Sequence, residues 1–233
     1  MRTPEAATEL AKTMVRIGSA HGRNIAAIIT NMDIPLGHAI GNAMEVTEAV
    51  EVLRGRGPDD LREVCLTLAS HMIALSCQME IAEARRIAEE HLYSQKAYAK
   101  FCDWIEAQGG DVSFAKNPHL FGKAAYSMDV LAPSDGYITA CNAERIGTAA
   151  MILGAGRETA QSIIDPRAGI YLHKKTGDSV KAGEPIATLY TERQTTLEKS
   201  SSTVLSAITL SDTIPPKQPL IFAVIDRNSA ASL

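Results

Sequence analysis

The period of the apolar residues changes once along this chain, near residues 110–121, and that change limits the fold more than any other feature. Before it, apolar side chains recur at helical spacing. Leu10, Met14 and Ile17 share one face of a first helix that the glycines at Gly18 and Gly22 stop. Val46, Val50 and Leu53 form a stripe within 42–54, which Gly55 to Pro58 ends. Asp59 and Asp60 suit the start of the next helix, as caps and as negative charge at the positive end of its dipole. Its core stripe reads Leu61, Val64, Cys65, Leu68, Met72 and Leu75. Two more amphipathic helices fit 81–92 and 95–108, the last closed by Gly109-Gly110. One strand interrupts this series: residues 25–30 are a short, almost wholly apolar, β-branched run of the kind buried on both faces of a parallel sheet. No strand upstream of it is available to pair with it.

After the change the pattern becomes short β-type runs at 127–131, 136–140, 148–153, 168–173 and 185–190, separated by Gly, Pro and Asp turns. A helix fits 195–208 and a final strand 220–225, with a frayed tail over 228–233. The expected fold class is therefore α+β. A helical segment carrying the remnant of an α/β sheet (1–110) is followed by a linker (111–121), a β-rich lobe (122–226) and a tail (227–233). No internal repeat of 20 to 50 residues is visible.

Composition excludes several functions. The 233 residues are 45% hydrophobic, enough for a real core, yet no window approaches the run of about 18 apolar residues that spans a bilayer. A membrane is not an expected partner. Nor is nucleic acid, because the net charge is −4, aromatics are 5%, and no basic patch is interleaved with them. The cysteines, Cys65, Cys77, Cys102 and Cys141, form no CxxC pair, and the six histidines are dispersed. Reduced thiols in a cytoplasmic protein without structural zinc are expected. His21, His38 and His71 have no partner in sequence and read as structural, while Gly154-Ala155-Gly156-Arg157 reads as an ordinary turn and His173-Lys174-Lys175 as a solvated basic turn.

Particular strings go further. Asn31-Met32-Asp33-Ile34-Pro35-Leu36-Gly37-His38-Ala39-Ile40-Gly41-Asn42-Ala43-Met44-Glu45-Val46-Thr47-Glu48-Ala49 is followed by Gly57-Pro58-Asp59-Asp60-Leu61, Ala107-Gln108-Gly109-Gly110-Asp111 and His173-Lys174-Lys175-Thr176-Gly177-Asp178. In order and spacing these resemble the pyrimidine-nucleoside phosphorylase family, close kin of thymidine phosphorylase, from about residue 9 to about 226. The resemblance implies a glycosyltransferase-type salvage enzyme that converts a pyrimidine nucleoside and phosphate into base and pentose 1-phosphate, working as a cytoplasmic homodimer. It also implies a C-terminal lobe of the hammerhead or barrel-sandwich-like kind.

Family members are roughly twice this length. Their phosphate loop and base-binding residues lie upstream of the matched part, so no catalytic, phosphate-binding or substrate-binding residue is expected here. Phosphorolysis needs a cradle of N–H groups for the anion and a cation for the leaving base, and a chain lacking both should be inactive alone. One family element does fall in this portion, a monovalent cation site, usually for potassium. By motif position its ligands are the main-chain carbonyls of Leu36 and Ala39 and the side chain of Glu48; oxygen donors suit a hard cation. The rest of that shell lies upstream, so weak or no potassium binding by this chain is expected.

Two non-enzymatic alternatives stand beside this. A free-standing binding or regulatory module could be built on the same lobe. Separately, the segment Gly177 to Ala187 resembles the strand and turn of biotinyl and lipoyl carrier domains. That reading fails because the best-aligned position for the modified lysine is Arg193, which a cofactor ligase cannot acylate. An apolar face exposed where upstream strands belong, with ready aggregation, is the last expectation.

Overall fold

A computed structural model describes residues 3–157, 159–227 and 229. Its elements, in chain order, are α1 (Pro4–Ala20), β1 (Ala27–Thr30), β2 (Ala39–Ile40), α2 (Asn42–Leu53), α3 (Asp59–Cys77), α4 (Ile81–Tyr93) and α5 (Lys96–Ala107). There follow α6 (Ser113–Lys116), a 3-10 turn at Pro118–Phe121, β3 (Tyr126–Leu131), β4 (Gly136–Cys141), α7 (Ala143–Leu153) and β5 (Gly169–Leu172). Last come β6 (Ser179–Val180), β7 (Pro185–Thr191), a 3-10 turn at Gln194–Thr196, α8 (Leu197–Ala207), β8 (Ile208–Ser211) and β9 (Ile221–Ile225). The fold is α+β. Most of the expected tail lies outside the described residues.

Two compact units result, and neither is contiguous: one takes 1–31, 59–96 and 218–233, the other 32–58 and 97–217. The division at 111–121 read from composition is contiguous. It differs because β9, at the far end of the chain, pairs with β1, and because the 32–58 stretch joins the β-rich part through β2 and β5.

In the first unit β1 and β9 form a two-stranded antiparallel sheet with Ala27 opposite Ile225 and Ile28 opposite Val224. This corrects the expectation of a parallel strand buried on both faces; every residue of β1 is only half-buried. A partner nearly 200 positions downstream leaves no local signal. Helix α1 is capped by Thr3, whose hydroxyl accepts the Ala6 amide. It packs on the sheet through Ala11 and Val15, against Ile25, Ala27, Ile29, Ala223 and Ile225. The expected stripe is thus the wrong one: Leu10, Met14 and Ile17 are 46%, 55% and 58% exposed. Small residues let the helix approach the sheet closely, and the larger ones on the next stripe point away.

A similar displacement occurs in α3. Val64, Leu66 and Ser70 are buried, and Leu66 meets Ala88 and Leu92 of α4, while Cys65, Leu68 and Met72 of the expected stripe are exposed. Arg85 on α4 spans this helix pair. Its Nη1 and Nη2 donate to Glu63 at 2.9 and 2.7 Å and its Nε to Glu89 at 2.7 Å. The bond from Arg85 holds the Glu63 carboxyl below the usual range. Arg85→Ala is expected to lower stability by about 1 kcal/mol in urea unfolding at neutral pH. A depressed carboxyl stabilises above its ordinary pKa, so the deficit should shrink as pH falls through the lowered value.

The second unit holds the larger core. Its sheets run β2-β5-β7-β3 and β6-β4-β8, and all their pairings are antiparallel. Val130, Ile138, Ile170, Leu172, Val180, Ile186 and Leu189 from both sheets join Ile146, Ala149 and Leu153 of α7 and Leu197 and Val204 of α8 in one buried cluster. The strands expected at 127–131, 136–140, 168–173 and 185–190 and the helix at 195–208 are present within a few residues. The exception is 148–153, a helix rather than a strand. The Asn142 side chain accepts the Arg145 amide and starts α7, Ile146, Ala149, Ala150 and Leu153 keep helical spacing, and Gly154 ends it. A six-residue apolar window is too short to show that period.

Candidate functional site

The Pro35 to Ala39 loop leads through β2 into α2, and Glu48 stands two turns into that helix. Its carboxylate turns back onto the loop. Oε1 accepts the backbone N–H of His38 at 2.9 Å and of Ala39 at 3.2 Å. Two main-chain donors on one charged acceptor make a strong local staple. The loop must lie close for this: Gly37 has φ +71°, and a Cβ there would stand 2.1 Å from Glu48 Oε2. The other side of the loop is fixed by β5, where the Leu172 amide donates to the His38 carbonyl at 2.8 Å and Ala39 pairs with Tyr171.

Helix α2 is aimed at this position by its own start. Its N-cap is Gly41, whose amide donates to Glu45 Oε1 at 2.9 Å, and the Ala43 amide donates to the Pro166 carbonyl at 3.0 Å. Val50 and Val52 are buried, whereas Val46 of the expected stripe is exposed. Arg54, just after α2, donates through Nη2 to Tyr98 Oη at 2.9 Å and to the carbonyls of Ala115 and Lys116 at 3.1 and 2.9 Å.

The structure brings two of the three expected cation residues into direct contact: the Glu48 side chain binds the Ala39 amide, and Leu36 precedes Gly37 on the same loop. Ala39 is buried and Leu36 exposed. The donor set fits a hard monovalent cation by type, being one carboxylate and two main-chain carbonyls, and the side-chain-free cradle at Gly37 is what admits the carboxylate.

Beside the staple lies a cavity of about 510 Å³ whose walls include His38, Thr47, Glu48, Glu51, Pro58 and Tyr171. His38 Nδ1 donates to the Leu172 carbonyl at 2.7 Å, and its ring stacks on Tyr171 with centroids 5.8 Å apart. From sequence His38 reads as structural, and its bonding agrees, but it also forms the cavity wall. The only signal for that was its position between Gly37 and Ala39. Tyr171 carried no signal, since its place depends on the register of β5 against β2.

The remaining candidates have ordinary roles. Gly154 caps α7, and the Ala155 amide returns to the Ala150 carbonyl at 3.0 Å. Lys174 pairs with Glu184 at 2.8 Å, and the Lys175 amide donates to Asp178 at 2.7 Å. His173 Nε2 lies 2.7 Å from Thr188 Oγ1, which donates to Asp129 at 2.6 Å. Arg193 reaches the Ile152 carbonyl near the end of α7 at 3.4 Å, so at the position a carrier lysine would take stands an exposed arginine that partners the helix end. Desolvation pushes the buried Cys141 thiol up to about 11.

Two family models match the chain. A "Glycosyl transferase family, a/b domain" model covers residues 2–98, and a "Pyrimidine nucleoside phosphorylase C-terminal domain" model covers 137–211. Among curated proteins, the pyrimidine-nucleoside phosphorylase of Bacillus subtilis (strain 168) is 49% identical over 195 residues, which are 83% of this chain and 45% of that protein. Its counterpart from Geobacillus stearothermophilus is 46% identical over 189 residues, 81% of this chain and 44% of the relative. That of Staphylococcus haemolyticus is 45% identical over 195 residues, 83% and 45%. The chain therefore spans less than half the length of the curated relatives it matches.

Proposed function

The chain belongs to the pyrimidine-nucleoside phosphorylase family, and we propose that it works as the C-terminal portion of such an enzyme rather than as a catalyst by itself. The complete enzyme joins phosphate to C1′ of a pyrimidine nucleoside as the base leaves, giving base and pentose 1-phosphate, and acts as a homodimer. In that setting the carbonyls of Leu36 and Ala39 and the Glu48 carboxylate hold a potassium ion. When bound, potassium supplies positive charge beside the anionic substrate. Glu48 fixes the loop by accepting the His38 and Ala39 amides, which keeps the two carbonyl-bearing residues at a set position relative to the carboxylate. That staple is the observation that supports the cation site, because it joins Glu48 to Ala39, two residues otherwise linked only by family motif.

The test is direct. Purified 233-residue chain, supplied with uridine and phosphate in potassium buffer, is expected to release no uracil above the uncatalysed background. Phosphate-dependent release by the chain alone would overturn the assignment of catalysis to the remainder of the enzyme.

A further inference from the structure

Within the second unit a cavity of about 450 Å³ lies on the outer face of the β2-β5-β7-β3 sheet, and neither Leu36 nor Glu48 lines it. Its floor is Tyr190 of β7 and Ser127 opposite it on β3. Leu189, next to Tyr190, is buried in the core, so strand alternation turns this pair outward. One wall is Met44 of α2. It closes over the sheet because Gly169, paired with Tyr190 on its other side, has no side chain: a Cβ there would stand 2.9 Å from the Met44 sulfur. Another wall is Phe121, whose ring packs on that of Phe114 with centroids 4.9 Å apart.

The exposed rim is cationic. Gly122, at φ +76°, turns the chain between Phe121 and Lys123, and a Cβ on it would stand 3.8 Å from Arg167 Cδ. Two loops distant in sequence therefore bring Arg167 to the turn that carries Lys123. Glu192 offsets part of the Arg167 charge at 3.2 Å, whereas Lys123 Nζ and Tyr190 Oη have no hydrogen-bond or ion-pair partner among the described residues. No carboxylate is among the described residues lining this cavity, although acidic side chains outnumber basic ones in the chain by 27 to 23. The neighbouring cavity, by contrast, is lined by Glu48 and Glu51. Apolar and aromatic walls under a cationic rim without acids suit a planar ring that carries an anionic group, and suit neither a metal ion nor a neutral apolar molecule.

We propose that this cavity binds a nucleoside monophosphate, with the phosphate at Lys123 and Arg167, the base against Phe121 and Tyr190, and the Ser127 and Tyr190 hydroxyls available to the sugar. The volume suits a ligand of that size. The site shares no residue with the Leu36, Ala39 and Glu48 set, and the proposal stands independently of the enzymatic reading.

Calorimetric titration of the 233-residue chain with uridine 5′-monophosphate tests this. Saturable one-to-one binding with a dissociation constant below about 1 mM is expected, weakening as salt is raised. Uridine supplies the ring without the charge and inorganic phosphate the charge without the ring, and each should bind about tenfold more weakly or worse. Lys123→Ala and Arg167→Gln should each weaken the nucleotide by about tenfold, and Tyr190→Leu by several-fold. Lys217→Ala, which removes an exposed lysine elsewhere in the same unit, should leave binding unchanged. Circular dichroism of each variant confirms that it is folded, and amide shifts on titration should concentrate at 121–127, 167 and 190. Four results would each overturn the proposal: a constant above about 1 mM, uridine or phosphate alone binding as tightly as the nucleotide, affinity indifferent to both Lys123→Ala and Arg167→Gln, or amide shifts confined to other residues.

Discussion

Gly41→Ala should destabilise the β-rich unit by about 3–5 kcal/mol, the sum of a strained backbone and a close approach that cannot relax. Gly41 holds φ +142°, where an L side chain is disfavoured, at the junction of β2 and α2. A Cβ there would stand 2.5 Å from the Ala168 carbonyl oxygen and 2.9 Å from Gly169 Cα. Both obstacles are backbone, at the start of the central strand β5. The approach is mutual, since a Cβ on Gly169 would meet the Ile40 carbonyl oxygen at 2.5 Å. Relief would require β2 to separate from β5, and with it the loop that Glu48 staples. The melting temperature should fall by about 10 °C for a domain of this size. Gly177→Ala is the control: φ is +100° with nothing within 4 Å of the added carbon, so only the strain remains, about 1 kcal/mol. Equal losses in the two variants would show that the Gly41·Gly169 contact carries no stability.

What the sequence disclosed and what it hid follow a physical rule. Strands β3, β4, β5 and β7 were legible because each is bounded by Gly, Pro or Asp within a few residues, which is local information. Helix α7 was not, because its apolar window ran together with the turn signals around it and its start depends on one asparagine bond. The helices of the first half were legible as helices but not by their buried faces. In α1 the large apolar side chains of the expected stripe point away from the packed side and Ala11 and Val15 make the contact, whereas in α3 the contact to α4 is made by Leu66, which lies off the expected stripe. The pairing of β1 with β9 and the discontinuous units are long-range facts with no local trace. The candidate site was legible only through the long motif from Asn31 to Ala49. Composition offered nothing for Glu48, whose role depends on a bond ten residues back along the chain.

That bond makes the second large prediction a matter of coupling. Glu48→Ala removes the acceptor of the His38 and Ala39 amides and should cost about 2–3 kcal/mol, since both donors are part-buried and the acceptor is charged. Gly37→Ala should cost about as much for a different reason. The added methyl would occupy the place of Oε2, and the carboxylate, pinned by two amides, has to release them to make room. Strain at φ +71° adds about 1 kcal/mol. The two substitutions therefore destroy the same staple, and their costs cannot add. In the Glu48→Ala background Gly37→Ala should cost only the backbone strain, a coupling of about 2 kcal/mol by double-mutant cycle in urea. Glu48→Gln sharpens the assignment: its amide oxygen can still accept the two N–H groups, so it should lose less stability than Glu48→Ala while giving up the negative charge that a cation needs. If Gly37→Ala and Glu48→Ala are additive, the carboxylate does not hold the loop. The staple would then be a surface contact, and the support it lends to a cation site at Leu36, Ala39 and Glu48 would go with it.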